Sequence, residues 1–165
     1  MDKSDINYQK IDKGIRDLVR TLNQIPCVTT QASCEGHLRE DSGWTGFLPD
    51  QGHKFLYGGD MIFQVNRQHP DSTRFLDDVQ QVERRYSFVG LHEHRCREED
   101  CSIEGSRVLD LGYSDLTHPE TIKERDSLEV MIKKRHQVET SIGMQRIRDY
   151  QKVWRDFLAV AERYV

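Results

Sequence analysis

Residues 15–37 read IRDLVRTLNQIPCVTTQASCEGH, and the succession of residue types within them decides the fold class. Ile15, Leu18, Leu22 and Ile25 recur at steps of three and four, the spacing that lines one face of an α-helix. Pro26 ends that pattern, because proline lacks an amide hydrogen and restrains the residue before it. The next run, Cys27-Val28-Thr29-Thr30-Gln31-Ala32, is short and β-branched and reads as a strand. It passes directly into Ser33-Cys34-Glu35-Gly36-His37, a polar segment that glycine allows to turn. Helix, strand and turn in this order predict an α/β (or α+β) domain.

The same reading extends in both directions. Tyr8 and Ile11 continue the apolar stripe upstream, which predicts one helix over residues 6–25. Residues 33–59 hold six glycines and one proline, so mainly loop is expected there, with a short hairpin. Lys54–Tyr57 and Met61–Asn66 read as strands, the second with Met61, Phe63 and Val65 on one face. Pro70-Asp71 opens a second helix whose buried side is Phe75, Leu76, Val79 and Val82. Strands are expected over residues 86–94 and 107–113. Thr117-His118-Pro119-Glu120 has capping-box spacing, and the apolar pattern beyond it is helical to Ala161. A break is expected near Ser141–Gly143, because a 45-residue helix is long for a compact domain. The expectation is one domain over residues 1–165: a mixed β-sheet with flanking helices, and a C-terminal helical segment, 119–165, packed on it.

Composition narrows the function classes. The 165 residues are 36 % hydrophobic and 32 % charged, with a net charge of −4. That is apolar enough to build a core, but the exterior must be very polar. No apolar run approaches the ~20 residues a membrane-spanning helix needs. Residues 1–70 carry 8 basic and 9 acidic side chains, and residues 71–165 carry 16 and 19. Neither half therefore has the basic excess typical of a nucleic-acid surface. Met1-Asp2-Lys3-Ser4-Asp5 has no apolar signal core, so a cytoplasmic protein with reduced thiols at Cys27, Cys34, Cys96 and Cys101 is expected.

The turn after the first strand concentrates chemistry. Ser33, Cys34, Glu35 and His37 bring a hydroxyl, a thiol, a carboxylate and an imidazole within five positions. Cys34 and His37 suit a thiolate–imidazolium pair, and Glu35 suits orientation of His37 as a general base. The alternative is that Ser33 caps a turn, Cys34 is a small buried residue and His37 is solvated.

Thr29, Thr30, Ser33, Cys34 and Gly36, preceded by the helix, resemble the opening of the wybutosine-synthesising tRNA methyltransferases that act at the third step of that pathway. In that family an N-terminal helix leads to a Thr-Thr strand and a Ser-Cys-x-Gly-Arg loop. The likeness is close over about 30 residues and extends loosely through 61–66 and 71–84. This chain has one extra residue between Thr30 and Ser33, and His37 where the family has arginine. Arg39, two positions along a strand, would present its guanidinium on the same face. The resemblance implies an α/β domain with a ligand site at this loop. The residue types themselves give Cys34, His37 and Glu35 as candidate catalytic residues, with Thr30, Ser33, Gly36 and Arg39 as candidate ligand-binding residues. The resemblance also implies S-adenosylmethionine as cofactor and group transfer to a nucleotide or RNA base.

A second hypothesis is a non-enzymatic interaction module. His92, His94 and Cys96 alternate and Cys101 follows five positions later, residue types that suit a structural zinc site. An exposed polar hairpin tip accounts for the same pattern. In this reading Trp154, Phe157 and Leu158 form a stripe for homodimer pairing through the last helix. Lys133-Lys134-Arg135-His136, with Arg146 and Arg148, suit either a phosphate-binding face or a solvated one. Trp44, Phe47 and Tyr57 suit base stacking or packing beneath a loop.

Overall fold

The computed structural model describes residue 3, residues 6–94 (of His94 the backbone only), 105–112 and 121–165. The order is α1 (Arg16–Gln24), β1 (Val28–Cys34), β2 (His37–Arg39), β3 (His53–Tyr57), β4 (Asp60–Val65), α2 (Ser72–Arg84) and β5 (Val89–His94). There follow β6 (Ser106–Leu111), α3 (Leu128–His136), β7 (Gln137–Glu139) and α4 (Thr140–Ala161). The α/β class expected from residues 15–37 is the class that forms. Its strands lie in a four-stranded sheet, β1-β4-β6-β5, and a three-stranded sheet, β2-β3-β7, paired antiparallel throughout.

Alternation along the strands places one layer of core on one face of the larger sheet. Met61, Phe63, Leu109 and Leu111 are buried there with Leu18, Leu22, Phe75, Val79, Trp154 and Phe157 from the helices. Phe63 meets Phe75 edge-on at 6.1 Å between centroids and Phe157 at 5.7 Å, arrangements that favour aromatic pairs beyond their buried area. Among the described residues no helix is long and apolar enough to cross a membrane.

The two sheets are parts of one bent ribbon. Cys34 faces Asp60 in the first sheet and His37 faces Tyr57 in the second. Only Glu35-Gly36 and Gly58-Gly59 separate these pairs, so the register runs on unbroken through a kink. A bulge between Thr30 and Ala32 increases the local twist just before it. At the kink the two turns touch backbone to backbone. A Cβ on Gly59 would lie 2.8 Å from the Cys34 carbonyl oxygen, and one on Gly36 would lie 2.8 Å from the Tyr150 ring. Gly36 also has φ +91°, a conformation that favours glycine.

Several local expectations change. The helix predicted over 6–25 is a 3-10 turn at Tyr8–Lys10, a loop, and α1 only from Arg16. The reason is tertiary: the Gly14 amide donates to Glu35 Oε2 at 2.7 Å, outside any helix. The capping box at 117–120 lies outside the described residues, but 121–127 are not helical. Instead Ser127 caps α3, its hydroxyl accepting from the Val130 amide at 3.3 Å. The break expected near Ser141–Gly143 falls earlier, at β7, which pairs with β3. Gly143 sits inside α4 because a Cβ there would lie 2.6 Å from Leu38 Cδ1. Residues 33–59 are mainly loop, as expected, and β2 paired with β3 is the short hairpin within them.

The dimer stripe is corrected as well. Trp154 and Phe157 are buried in the chain's own core, 2 % and 0 % exposed, with Leu158 packed at its edge. Their helical spacing is the signature of the face that holds α4 against the sheet, so it offers nothing to a second copy.

Candidate functional site

The kink gathers chemistry from three elements. The loop before α1 closes on the β1–β2 turn by reciprocal hydrogen bonds. The Gly14 amide donates to Glu35 Oε2, and the Glu35 amide donates to Asp12 Oδ2 at 3.1 Å. A Cβ on Gly14 would lie 2.1 Å from Glu35 Oε2, so this clasp needs a glycine. From beneath, the Trp154 indole donates to the Glu35 carbonyl at 3.0 Å and the Tyr150 hydroxyl to the Gly112 carbonyl at 3.1 Å. The turn is thus held by side chains rooted in the core.

Asp12 Oδ2 lies 3.3 Å from His37 Nε2. Carboxylate, imidazole and the Cys34 thiol each offer one ligand atom, and these atoms lie within 4.8 Å of one another. All three residues are half-buried.

Beside them runs a charged row on the face of the larger sheet away from the helices. Cys34, Asp60, Asp110 and Gly90 are successive cross-strand partners. Burial raises the Asp60 pKa above the ordinary carboxylate range, and the neighbouring Asp110 charge raises it further. His92 extends the row, its Nε2 lying 3.2 Å from Asp110 Oδ2. A cleft of about 410 Å³ opens here, lined by Tyr57, Gly58, Gly59, Asp60, Asp110, Leu111 and Gly112. A second, of about 400 Å³, is lined by Glu35, Gly36, His37, Leu38, Met144, Ile147 and Arg148. Both are of a size that small-molecule sites commonly have.

The expected site residues separate into three groups. Cys34 and His37 come together. The Cys34 pKa, however, is raised by burial and by Asp12, Asp60 and Glu35, against the Gly36 amide hydrogen bond that lowers it. The thiolate of the expected thiolate–imidazolium pair is therefore disfavoured. Glu35 does not orient His37: its carboxylate is engaged at Gly14, and Asp12 takes that place. Gly36 serves the kink.

Thr30 is not available to a ligand. It is 5 % exposed, its hydroxyl accepts from Asn23 Nδ2 at 2.6 Å, and its amide donates to Asn23 Oδ1 at 3.0 Å. Ser33 pairs with Met61 and is half-buried. Arg39 does share a strand face with His37, but its guanidinium lies over the Tyr57 ring at 6.0 Å. Of the zinc alternative, His92 is on the outer face beside Asp110, the side chain of His94 is not described, and Cys96 and Cys101 lie outside the described residues.

The remaining candidates resolve simply. Lys133 and Lys134 are engaged by Asp50 with Glu129 and by Asp126, so these two cations are half-buried in ion pairs. Tyr57 stacks on His136 at 5.0 Å, while Trp44 is 93 % exposed and packs beneath no loop.

Asp12, Gly14, Asp60 and Asp110 were not anticipated. Asp12-Lys13-Gly14 interrupts the first apolar stripe, a visible signal of a loop. Asp60 and Asp110 stand out only once register pairs them across β4 and β6.

No family model and no curated protein matches the chain. A solved structure described as a hypothetical protein from Aeropyrum pernix is similar at 14 % identity with a TM-score of 0.43, covering 90 % of this chain and 98 % of that one.

Proposed function

We propose that the chain is a group-transfer enzyme that binds S-adenosylmethionine in the cleft at the kink and methylates a nucleotide-like acceptor. The observation that carries this reading is the lining of the 410 Å³ cleft, which has two carboxylates, Asp60 and Asp110, and no lysine or arginine. Such a lining attracts a cation in a partly desolvated setting, where charge interactions are stronger than in water. Gly58, Gly59 and Gly112 let a ligand approach the backbone closely. S-adenosylmethionine supplies an electrophilic methyl group on a cationic sulfur. The acceptor nitrogen forms the new bond to that carbon as the carbon–sulfur bond breaks, and it gives up a proton. Asp110 Oδ2, backed by His92 Nε2 at 3.2 Å, is the group that takes the proton. The chemistry thus sits on Asp60, Asp110 and His92, with His37, Cys34 and Glu35 outside the lining of this cleft.

The acceptor follows the resemblance at Thr29-Thr30 and Ser33-Cys34-Glu35-Gly36, which favours an RNA base. The net charge of −4 favours few phosphate contacts. Calorimetric titration with S-adenosylmethionine and with S-adenosylhomocysteine, which lacks the sulfonium charge, tests the reading. The sulfonium form is expected to bind at least about tenfold more tightly, which is ~1.4 kcal/mol. Asp60→Asn should erase that preference. Failure of both to bind, or equal affinities, would remove the proposal.

A further inference from the structure

We propose that Asp12, Cys34 and His37 form a zinc site at the ribbon kink, with Asp12 Oδ, Cys34 Sγ and His37 Nε2 as three protein ligands and a fourth position left open. The proposal goes beyond the methyl-transfer reading and does not depend on it.

The donor set is the first argument. One oxygen, one sulfur and one imidazole nitrogen are the ligand types that zinc accepts, and three protein ligands with an open position is the pattern of reactive zinc sites. Calcium and magnesium, which take all-oxygen shells, are a poor match for a thiol and an imidazole.

Distance is the second. At ordinary zinc bond lengths, tetrahedral ligand atoms lie about 3.4–3.6 Å apart. Asp12 Oδ2 and His37 Nε2 are already 3.3 Å apart, and the three ligand atoms fall within 4.8 Å. Closing the remainder needs side-chain movement of about 1 Å, small for groups on a loop and at two strand ends.

The third argument is that two of the three ligands, Asp12 and Cys34, have supports of their own. The Glu35 amide holds Asp12 Oδ2, and the Gly36 amide bonds to the Cys34 sulfur. The Gly14–Glu35 clasp fixes the loop that carries Asp12, and Trp154 fixes the Glu35 carbonyl from the core. Outer partners of this kind orient metal ligands and raise their affinity. The surroundings are also acidic, with Glu35 and Asp60 adding negative charge toward Cys34, as a dication requires. Finally, the His37 and Asp12 side chains remain 42 % and 32 % exposed, so an ion can enter and water can reach the fourth position. A site buried on all sides would offer neither.

The test is metal binding to the full chain purified without a histidine tag. About one Zn²⁺ per chain is expected by elemental analysis, and Co²⁺ substitution should produce a thiolate-to-metal charge-transfer band with tetrahedral visible absorption. Cys34→Ser should abolish that band, and Asp12→Asn or His37→Ala should weaken Zn²⁺ binding by at least about tenfold, with unchanged circular dichroism. Gly14→Ala, which breaks the clasp without removing a ligand, should weaken binding about 10–100-fold. The double variant Cys96→Ser/Cys101→Ser should bind as the parent does. A band that survives Cys34→Ser, a metal lost in the double variant, or a parent chain that binds no Zn²⁺ overturns the assignment. S-adenosylmethionine titration of the metal-free chain is read separately, so either proposal can fail while the other stands.

Discussion

The larger sheet has two faces built from alternate residues of the same strands, and they do opposite things. Along β4, Met61, Phe63 and Val65 point into the core while Asp60, Ile62 and Gln64 point away. Along β6, Leu109 and Leu111 face the helices while Asp110 does not. The inner face is apolar and aromatic, and the outer row of Cys34, Asp60 and Asp110 is acidic with His92 beside it. A period-two strand thus separates apolar packing from charged side chains at single-residue spacing. The kink is where this separation ends. There Trp154 and Tyr150, members of the core, bond to carbonyls of the candidate site.

Substitutions can break or sharpen that contrast. The largest effect is expected at the join. Trp154→Ala should cost about 3–5 kcal/mol in a urea denaturation series, because it empties core volume and leaves the Glu35 carbonyl without its donor. If the loss is below ~1 kcal/mol, the core does not hold the turn. Gly59→Ala comes next. Its methyl would meet the backbone at Cys34 and Glu35, which cannot swing aside, so a loss of about 1–3 kcal/mol is expected together with reduced ligand and metal binding. Unchanged binding would separate the kink from the site.

Thr30→Val tests the assignment of an apparent site residue to structure. It should cost about 1–3 kcal/mol by leaving one buried Asn23 Nδ2 hydrogen without its acceptor, the other still bonded to the Val19 carbonyl, and leave S-adenosylmethionine binding unchanged. The smallest effect, and the only gain, is expected on the outer face. The folded-state pKa of Asp60 is raised, first by burial and then by Asp110. The unfolded chain ionises first, so stability falls as pH rises from the ordinary aspartate value through the folded one, and the penalty persists above it. Asp60→Asn should therefore raise the melting temperature at neutral pH, with the gain vanishing below about pH 4. A loss of stability at neutral pH would contradict the desolvated carboxylate. The same substitution should weaken cation binding, which opposes stability to function at one residue.

Part of this was legible in advance because it is local. α1 ends at Gln24, with Ile25 already extended before Pro26, and Met61, Phe63 and Val65 alternate just as a one-faced strand requires. The nearness of Cys34 to His37 was also visible, since both lie within one turn of chain. Their partners were not. Asp12 reaches His37 across 25 positions, and Asp60 meets Asp110 only through antiparallel register. Glu35 reads as a catalytic carboxylate until Gly14 is seen to hold it.

By itself, then, the sequence determined the α/β class, the core faces of α1, β4 and α2, and the polar turn after β1. These depend on periodicity and on proline and glycine backbone limits, which act within a few residues. The tertiary structure alone decided that the last helix spends its apolar stripe on its own core. It also decided that one kinked ribbon serves two sheets and that Asp12 joins Cys34 and His37. Those outcomes turn on which distant segments pack together, and packing is settled by shape and buried area across the whole fold rather than by any local pattern.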